Sequence, residues 1–208
     1  MMTRLCIVRH GETEWNAGRR IQGQIDIPLS GAGVAQARAA ANYLCDEDFA
    51  AIYSSDLARA RQTAQAVAHL SRLPLQTMAG LRERHFGVFQ GMTHEEAQQQ
   101  RPQEFARHLS REPRFAPPGG ESLLQLAARV ATTFADIINR HRGEAAAVFT
   151  HGGVLDILYR QATGRALAAP RDFVIPNAAV NWFTVADGCW MLSEWAQREH
   201  LTNMAACG

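Results

Sequence analysis

Four short stretches of the chain hold side chains from which a reaction could be built. RHG at 9–11 ends an apolar run with a guanidinium, an imidazole and a glycine. THGG at 150–153 repeats the pattern, with His151 followed by Gly152 and Gly153. Between them lie Arg59, in SDLARARQTA, and Glu83, in LRERHFG. Two permanently charged guanidinium groups, two imidazoles and free backbone N–H groups at a helix start match a dianionic phosphate. Glycines beside the histidines let the backbone turn sharply and come close to a ligand. A neutral imidazole next to two arginines is a nucleophile, and a carboxyl group over the same crevice can donate a proton. The pattern points to phosphoryl transfer, with the first strand delivering His10 and Arg9 holding the phosphate.

Other readings compete for the same residues. A single histidine at a strand end is more often a buried, hydrogen-bonded one than a catalytic one. A metal site of His10, His151 and Glu83 leaves Arg9 and Arg59 unexplained, because cations repel a metal. A protein that only binds a phosphorylated partner would be expected to lose the nucleophile or the acid, and both are present.

Composition narrows the field. All 21 basic residues are Arg and none is Lys, which removes Schiff-base chemistry and the phosphate-binding lysine of P-loops. The net charge of +1 argues against nucleic-acid or anionic-membrane partners held by bulk charge. No segment approaches the roughly 20 apolar residues that span a bilayer. Cys6, Cys45, Cys189 and Cys207 form no CxxC pair, so reduced thiols in a cytoplasmic protein are expected, with no metal.

The elements that must position these residues alternate between strand and helix. Strands are predicted at 4–9, 49–55, 73–78 and 145–150, and a closing hairpin turns at Asp187-Gly188. Helices are predicted at 32–47 (with Ser30 as N-cap), at 56–70 (capped by Asp56 or Ser55) and after Gly152. This rhythm predicts one α/β domain over 1–208, a three-layer α/β/α sandwich around a mostly parallel sheet. In such a sheet, ligands sit beyond the carboxyl ends of the strands. Residues from about 91 to 142 break the rhythm and are expected to be an inserted helical lid that sets specificity.

RHGETEWN, SDLARARQTA, LRERHFG and THGG, in that order, resemble the histidine phosphatase superfamily, also called phosphoglycerate mutase-like, over about residues 4–195. The resemblance implies that His10 is transiently phosphorylated, that Arg9, Arg59, His151 and Asn16 bind the phosphoryl group, and that Glu83 transfers a proton. It implies no metal cofactor. RRIQGQIDIPLS, GGESLLQLAARV and HGG resemble the small phosphatase branch and place Gln22, Gly23 and Gly152 at the substrate. ERHFGVFQG keeps a mutase flavour, so the alternative is a phosphoglycerate mutase dependent on 2,3-bisphosphoglycerate. The partner implied is a small phosphorylated metabolite. The physiological substrate stays open, as do the oligomeric state (a homodimer included) and the fate of the C-terminal REHLTNMAACG, a tail over the site or a frayed end.

Overall fold

The computed structural model describes residues 1–202. Asn203–Gly208, which include Cys207 and the last part of the C-terminal tail, lie outside the described residues. The strands are β1 (Met2–Arg9), β2 (Ala51–Ser54), β3 (Leu75–Thr77), β4 (Ala145–Thr150), β5 (Val180–Ala186) and β6 (Cys189–Gln197). They form one six-stranded sheet in the order β3-β2-β4-β1-β5-β6. The β3-β2, β2-β4 and β4-β1 pairings are parallel, while β5 runs antiparallel to both β1 and β6. Asp187 and Gly188, with φ of 50° and 79°, make the β5–β6 turn where it was predicted.

The helices are α1 (Glu14–Ala17), α2 (Gly31–Leu44), α3 (Ala58–Ser71), α4 (His94–Gln100), α5 (Pro102–Leu109), α6 (Leu123–Arg140), α7 (Gly152–Thr163) and α8 (Glu199–Thr202). Alternation along the central strands fills both faces of the sheet. Leu5, Ile7 and Val148 meet α6 and α7 through Leu126, Phe134 and Leu158. Cys6, Val8 and Phe149 meet α2 and α3 through Ala41, Leu44 and Val67 on the opposite face. The result is the three-layer α/β/α sandwich, and burial on both faces explains why these strands read as unbroken apolar runs.

Local caps follow the sequence in one place and depart from it in another. Ser30 caps α2, its hydroxyl accepting from the Gly33 N–H at 3.1 Å. Helix α3 begins two residues later than predicted, with Leu57 at the N-cap and no side-chain cap. Asp56 is drawn away by Arg82, which donates two hydrogen bonds to it at 2.7 and 2.6 Å. A bidentate guanidinium pair is stronger than a single amide contact, so the carboxylate leaves the helix end.

The stretch from 91 to 142 divides into two parts. Helices α4 and α5 break at Arg101 before Pro102 and build a small separate core of Ile21, Phe89, Ala97 and Phe105. Helix α6 instead belongs to the sandwich: its apolar stripe packs on the sheet, and a capping box of Ser122 and Gln125 starts it.

Candidate active site

Strands β1 and β4 lie side by side in the middle of the sheet, with Arg9 opposite Thr150. The next residue on each strand is a histidine, so His10 and His151 emerge together at the carboxyl edge. Their ring centroids are 5.1 Å apart. The sequence placed each histidine at a strand end; the pairing of the two strands brings them together.

His10 is 3% exposed, and its Nδ1 lies 2.6 Å from the Gly11 carbonyl oxygen. A carbonyl only accepts, so Nδ1 carries the proton and Nε2 keeps its lone pair. Burial, then the charges of Arg59 and Arg9, hold the His10 pKa well below the usual imidazole value. His151 is fully buried and its pKa is held low, first by burial and then by Arg59. Neither ring nitrogen of His151 has a hydrogen-bond partner among the described residues.

Two guanidinium groups face this pair. Arg9 donates from Nη1 to the Ile175 carbonyl. Arg59 is fully buried, with Nη1 and Nη2 on the carbonyls of Ile25 and Gly23 at 2.9 and 2.7 Å. Burial lowers both pKa values to about 10, so both groups remain cationic at neutral pH. The Nε of each lacks a partner. Unmet buried donors are costly unless an anion arrives to accept from them.

Asn16 lies on α1. Its Oδ1 accepts from the backbone and hydroxyl of Thr13, at 3.1 and 3.0 Å, and from Asn177 Nδ2 at 3.3 Å. With the oxygen so occupied, the amide NH2 is the end left for a ligand. Gln22 is buried and its Oε1 has no partner, while Gly23 shares the same wall of the cleft.

Glu83 sits between Leu81 and Arg84 on a loop that several elements pin. Thr150 donates to the Leu81 carbonyl at 2.8 Å, Gln24 to that of Glu83 at 3.1 Å, and Arg129 of α6 to those of Gly80 and Arg82 at 2.9 and 2.8 Å. The Glu83 carboxylate accepts from the Gly153 N–H at 3.0 and 2.9 Å and from the Arg84 N–H at 2.7 Å. A Cβ at Gly153 would collide with Glu83 Oε1, so this glycine makes room for the carboxylate.

Gly11, expected to bring backbone close to a ligand, does something else. A Cβ there would lie 2.6 Å from the Gly33 carbonyl oxygen, so the residue lets the His10 loop rest on the start of α2. At Gly152 an added Cβ would lie 3.8 Å from both Arg9 Nε and Glu83 Oε2, an ordinary contact.

Arg9, His10, Asn16, Gln22, Arg59 and Glu83 all line one cleft of about 800 Å³, together with Gly23 and Gly152. His151 lies behind His10. Among the described residues no group of three or more His, Cys, Asp or Glu is arranged to hold a metal ion. Arg20, whose loop was expected to line the pocket, does so while bound to Gly91 and Glu96. The sequence reading missed Arg129, whose signal was a basic residue three positions after the buried Leu126. It also missed Asp156, an acid inside the apolar run GVLDIL, which lines the far end of the cleft.

A family model described as "Histidine phosphatase superfamily (branch 1)" matches residues 5–198. "Phosphoglycerate mutase-like protein 4" of Arabidopsis thaliana is 41% identical over 201 residues, covering 95% of this chain and 86% of the relative. "Metal-independent phosphoserine phosphatase" of Arabidopsis thaliana is 38% identical over 206 residues, covering 98% of this chain and 85% of the relative. Among solved structures, Bacillus stearothermophilus YhfR superposes with a TM-score of 0.90 at 32% identity, over 96% of this chain and 99% of that one.

Proposed function

The chain belongs to the histidine phosphatase superfamily, and from that premise we propose that it hydrolyses phosphomonoesters of small metabolites through a phosphohistidine on His10. The observation that carries this reading is the His10 tautomer. With Nδ1–H bound to the Gly11 carbonyl, Nε2 is an unprotonated nucleophile beside Arg9, Arg59 and His151.

In the first step Nε2 of His10 forms a bond to phosphorus as the ester P–O bond breaks. Glu83 gives its proton to the departing alkoxide. Arg9, Arg59, Asn16 and His151 donate hydrogen bonds to the non-bridging oxygens, where charge concentrates in the transition state. In the second step water attacks the phosphohistidine, Glu83 takes the water proton, and the N–P bond breaks to release phosphate and regenerate neutral His10. Gln22 Oε1 accepts a hydrogen bond from the leaving-group side of the ester.

No step needs a metal, a reading supported by the relative named as a metal-independent phosphoserine phosphatase. No helix among the described residues is long and apolar enough to cross a membrane. Among the described residues Cys6, Cys45 and Cys189 are free thiols, and the proposed location is the cytoplasm. The mutase reading draws on the relative named phosphoglycerate mutase-like protein 4. In it, the phosphoryl group of His10 returns to a second hydroxyl, and 2,3-bisphosphoglycerate primes the histidine.

Quenched-flow labelling with a radioactive phosphomonoester tests the intermediate. Acid-labile label on His10, absent from His10→Ala together with turnover, is the expected result. Turnover in His10→Ala, or turnover with no labelled protein, overturns the assignment. Parallel assays of phosphate release and of 3- to 2-phosphoglycerate conversion with 2,3-bisphosphoglycerate separate the branches. Release without isomerisation is expected.

A further inference from the structure

The segment just before β5 wraps the end of β1, and its contacts are with the backbone of the residues that do the chemistry. The Ala178 N–H donates to the carbonyls of Arg9 and His10 at 3.1 and 3.2 Å, and the Arg9 N–H donates to that of Ala179 at 3.4 Å. Ala178 is fully buried with a φ of 55°, a conformation that an L-residue keeps only where its surroundings over-determine it. On the outer side, His200 of α8 is stacked on Tyr43 of α2 and donates from Nε2 to the Ala178 carbonyl at 3.0 Å. The segment is therefore held from both sides.

Asn177, in the middle of it, spends its side chain on the same loop. Its Nδ2 donates to the His10 carbonyl at 3.0 Å, to the Gly11 carbonyl at 3.3 Å and to Asn16 Oδ1 at 3.3 Å. The Gly11 carbonyl is the one that fixes the proton on His10 Nδ1, and its oxygen has a second lone pair for Asn177. Asn16 belongs to α1, a helix of only four residues. A single helical turn is marginal by itself, because few hydrogen bonds offset the ordering of its backbone. The capping box orients the Asn16 amide, but its hydrogen bonds lie wholly between Thr13 and Asn16. The amide of Asn177 is what ties that turn to the backbone of the nucleophile. Asn177 does not itself line the cleft, so its part is played through Asn16 and the His10 loop.

We infer that Asn177 is a positioning residue for phosphoryl transfer: bonded at once to the His10 and Gly11 carbonyls and to Asn16 Oδ1, it holds the Asn16 NH2 in register with the nucleophile. The inference rests on the phosphatase reading and adds a residue to it. The gain is preorganisation, since the Asn16 donor is in place before charge develops on the phosphoryl oxygens. A third donor on Oδ1 also polarises the Asn16 amide and strengthens its N–H groups as donors.

A double-mutant cycle between Asn177 and Asn16 tests it. Asn16→Ala is expected to lower kcat for nitrophenyl phosphate by about 10²-fold, as removal of one such donor does. Asn177→Ala should lower it by about tenfold, and Asn177→Leu, which keeps the side chain's bulk, by as much. In the Asn16→Ala background the same Asn177 substitutions should cost under about threefold, because the donor they position is gone. General damage to the fold lowers activity by the same factor in both backgrounds, so equal factors overturn the inference. Native activity in Asn177→Leu would also overturn it, by reducing the residue to a space filler. Calorimetric binding of inorganic phosphate to the native, single and double variants runs the same cycle without turnover. Coupling there in a protein that hydrolyses no ester would sink the phosphatase reading and keep the positioning role. Turnover that depends on His10, with no coupling in either cycle, would do the reverse.

Discussion

A histidine works as a nucleophile only while one ring nitrogen is bare, and at His10 two separate features keep it so. The Gly11 carbonyl fixes the proton on Nδ1. Burial and the two arginines oppose a second proton on Nε2. In the proposed mechanism the arginines therefore serve twice, binding the anion and holding the nucleophile neutral. Glu83 is held with equal care, its carboxylate resting on the Gly153 and Arg84 N–H groups. Replacing it with Gln keeps the shape and removes the transferable proton. Glu83→Gln is expected to cost about 10²–10⁴-fold in turnover of an alkyl phosphate, whose alkoxide needs the proton. The loss for nitrophenyl phosphate, a good leaving group, should be under about tenfold. Steady-state rates on the two esters check this, and an equal loss on both would contradict the role.

At the scale of elements, the site depends on two contacts between backbones. Parallel pairing of β1 with β4 sets His10 beside His151. The loop after β1 is then pressed against the start of α2, where Gly33 faces the backbone of Glu12 and Gly11 faces Gly33. Neither partner is a flexible side chain that could swing aside. Gly33→Ala is expected to lower stability by about 1–3 kcal/mol, as overpacking does, and to reduce activity by moving the His10 loop. Urea denaturation and turnover measured together check it; an unchanged midpoint with full activity would show that the loop yields freely. Helix α6, read from sequence as part of a lid, is instead a layer of the core, and through Arg129 it steadies the loop that carries Glu83.

Across the whole molecule, buried neutral histidines make the fold sensitive to acid. His10, His151, His108 and His200 all have lowered pKa values, each chiefly through burial. For His108, set among Phe86, Phe89 and Phe105, the value is about 4. The unfolded chain binds these protons first, so stability is full above about pH 6.5 and falls as pH drops toward each folded-state value. His108→Phe removes one such proton from a mostly apolar setting. Between about pH 6.5 and 4 its unfolding free energy should fall less steeply than that of the native protein, by up to about 1.4 kcal/mol per pH unit. Denaturation at a series of pH values measures the slope; identical slopes would mean that His108 takes up its proton in the folded state as well.

The sequence by itself determined the residue types and the local elements. Apolar runs buried on both faces marked the central strands, Ser30 marked the start of α2, and Asp187-Gly188 marked the last turn, because short-range sterics and hydrogen bonding decide these. Four ordered motifs carried the family resemblance and, with RRIQGQIDIPLS, named eight residues that line the cleft and His151 behind it. The tertiary structure decided what depends on pairing between distant segments. It alone set β1 next to β4, sent Asp56 to Arg82 instead of to the α3 cap, and divided the 91–142 stretch between a small outer core and the sandwich. It alone gathered Arg111, Arg160 and Arg171 onto Asp156. A buried charge takes its partner from whatever the packing brings within hydrogen-bond reach, and the one-dimensional order of residues carries no record of that distance.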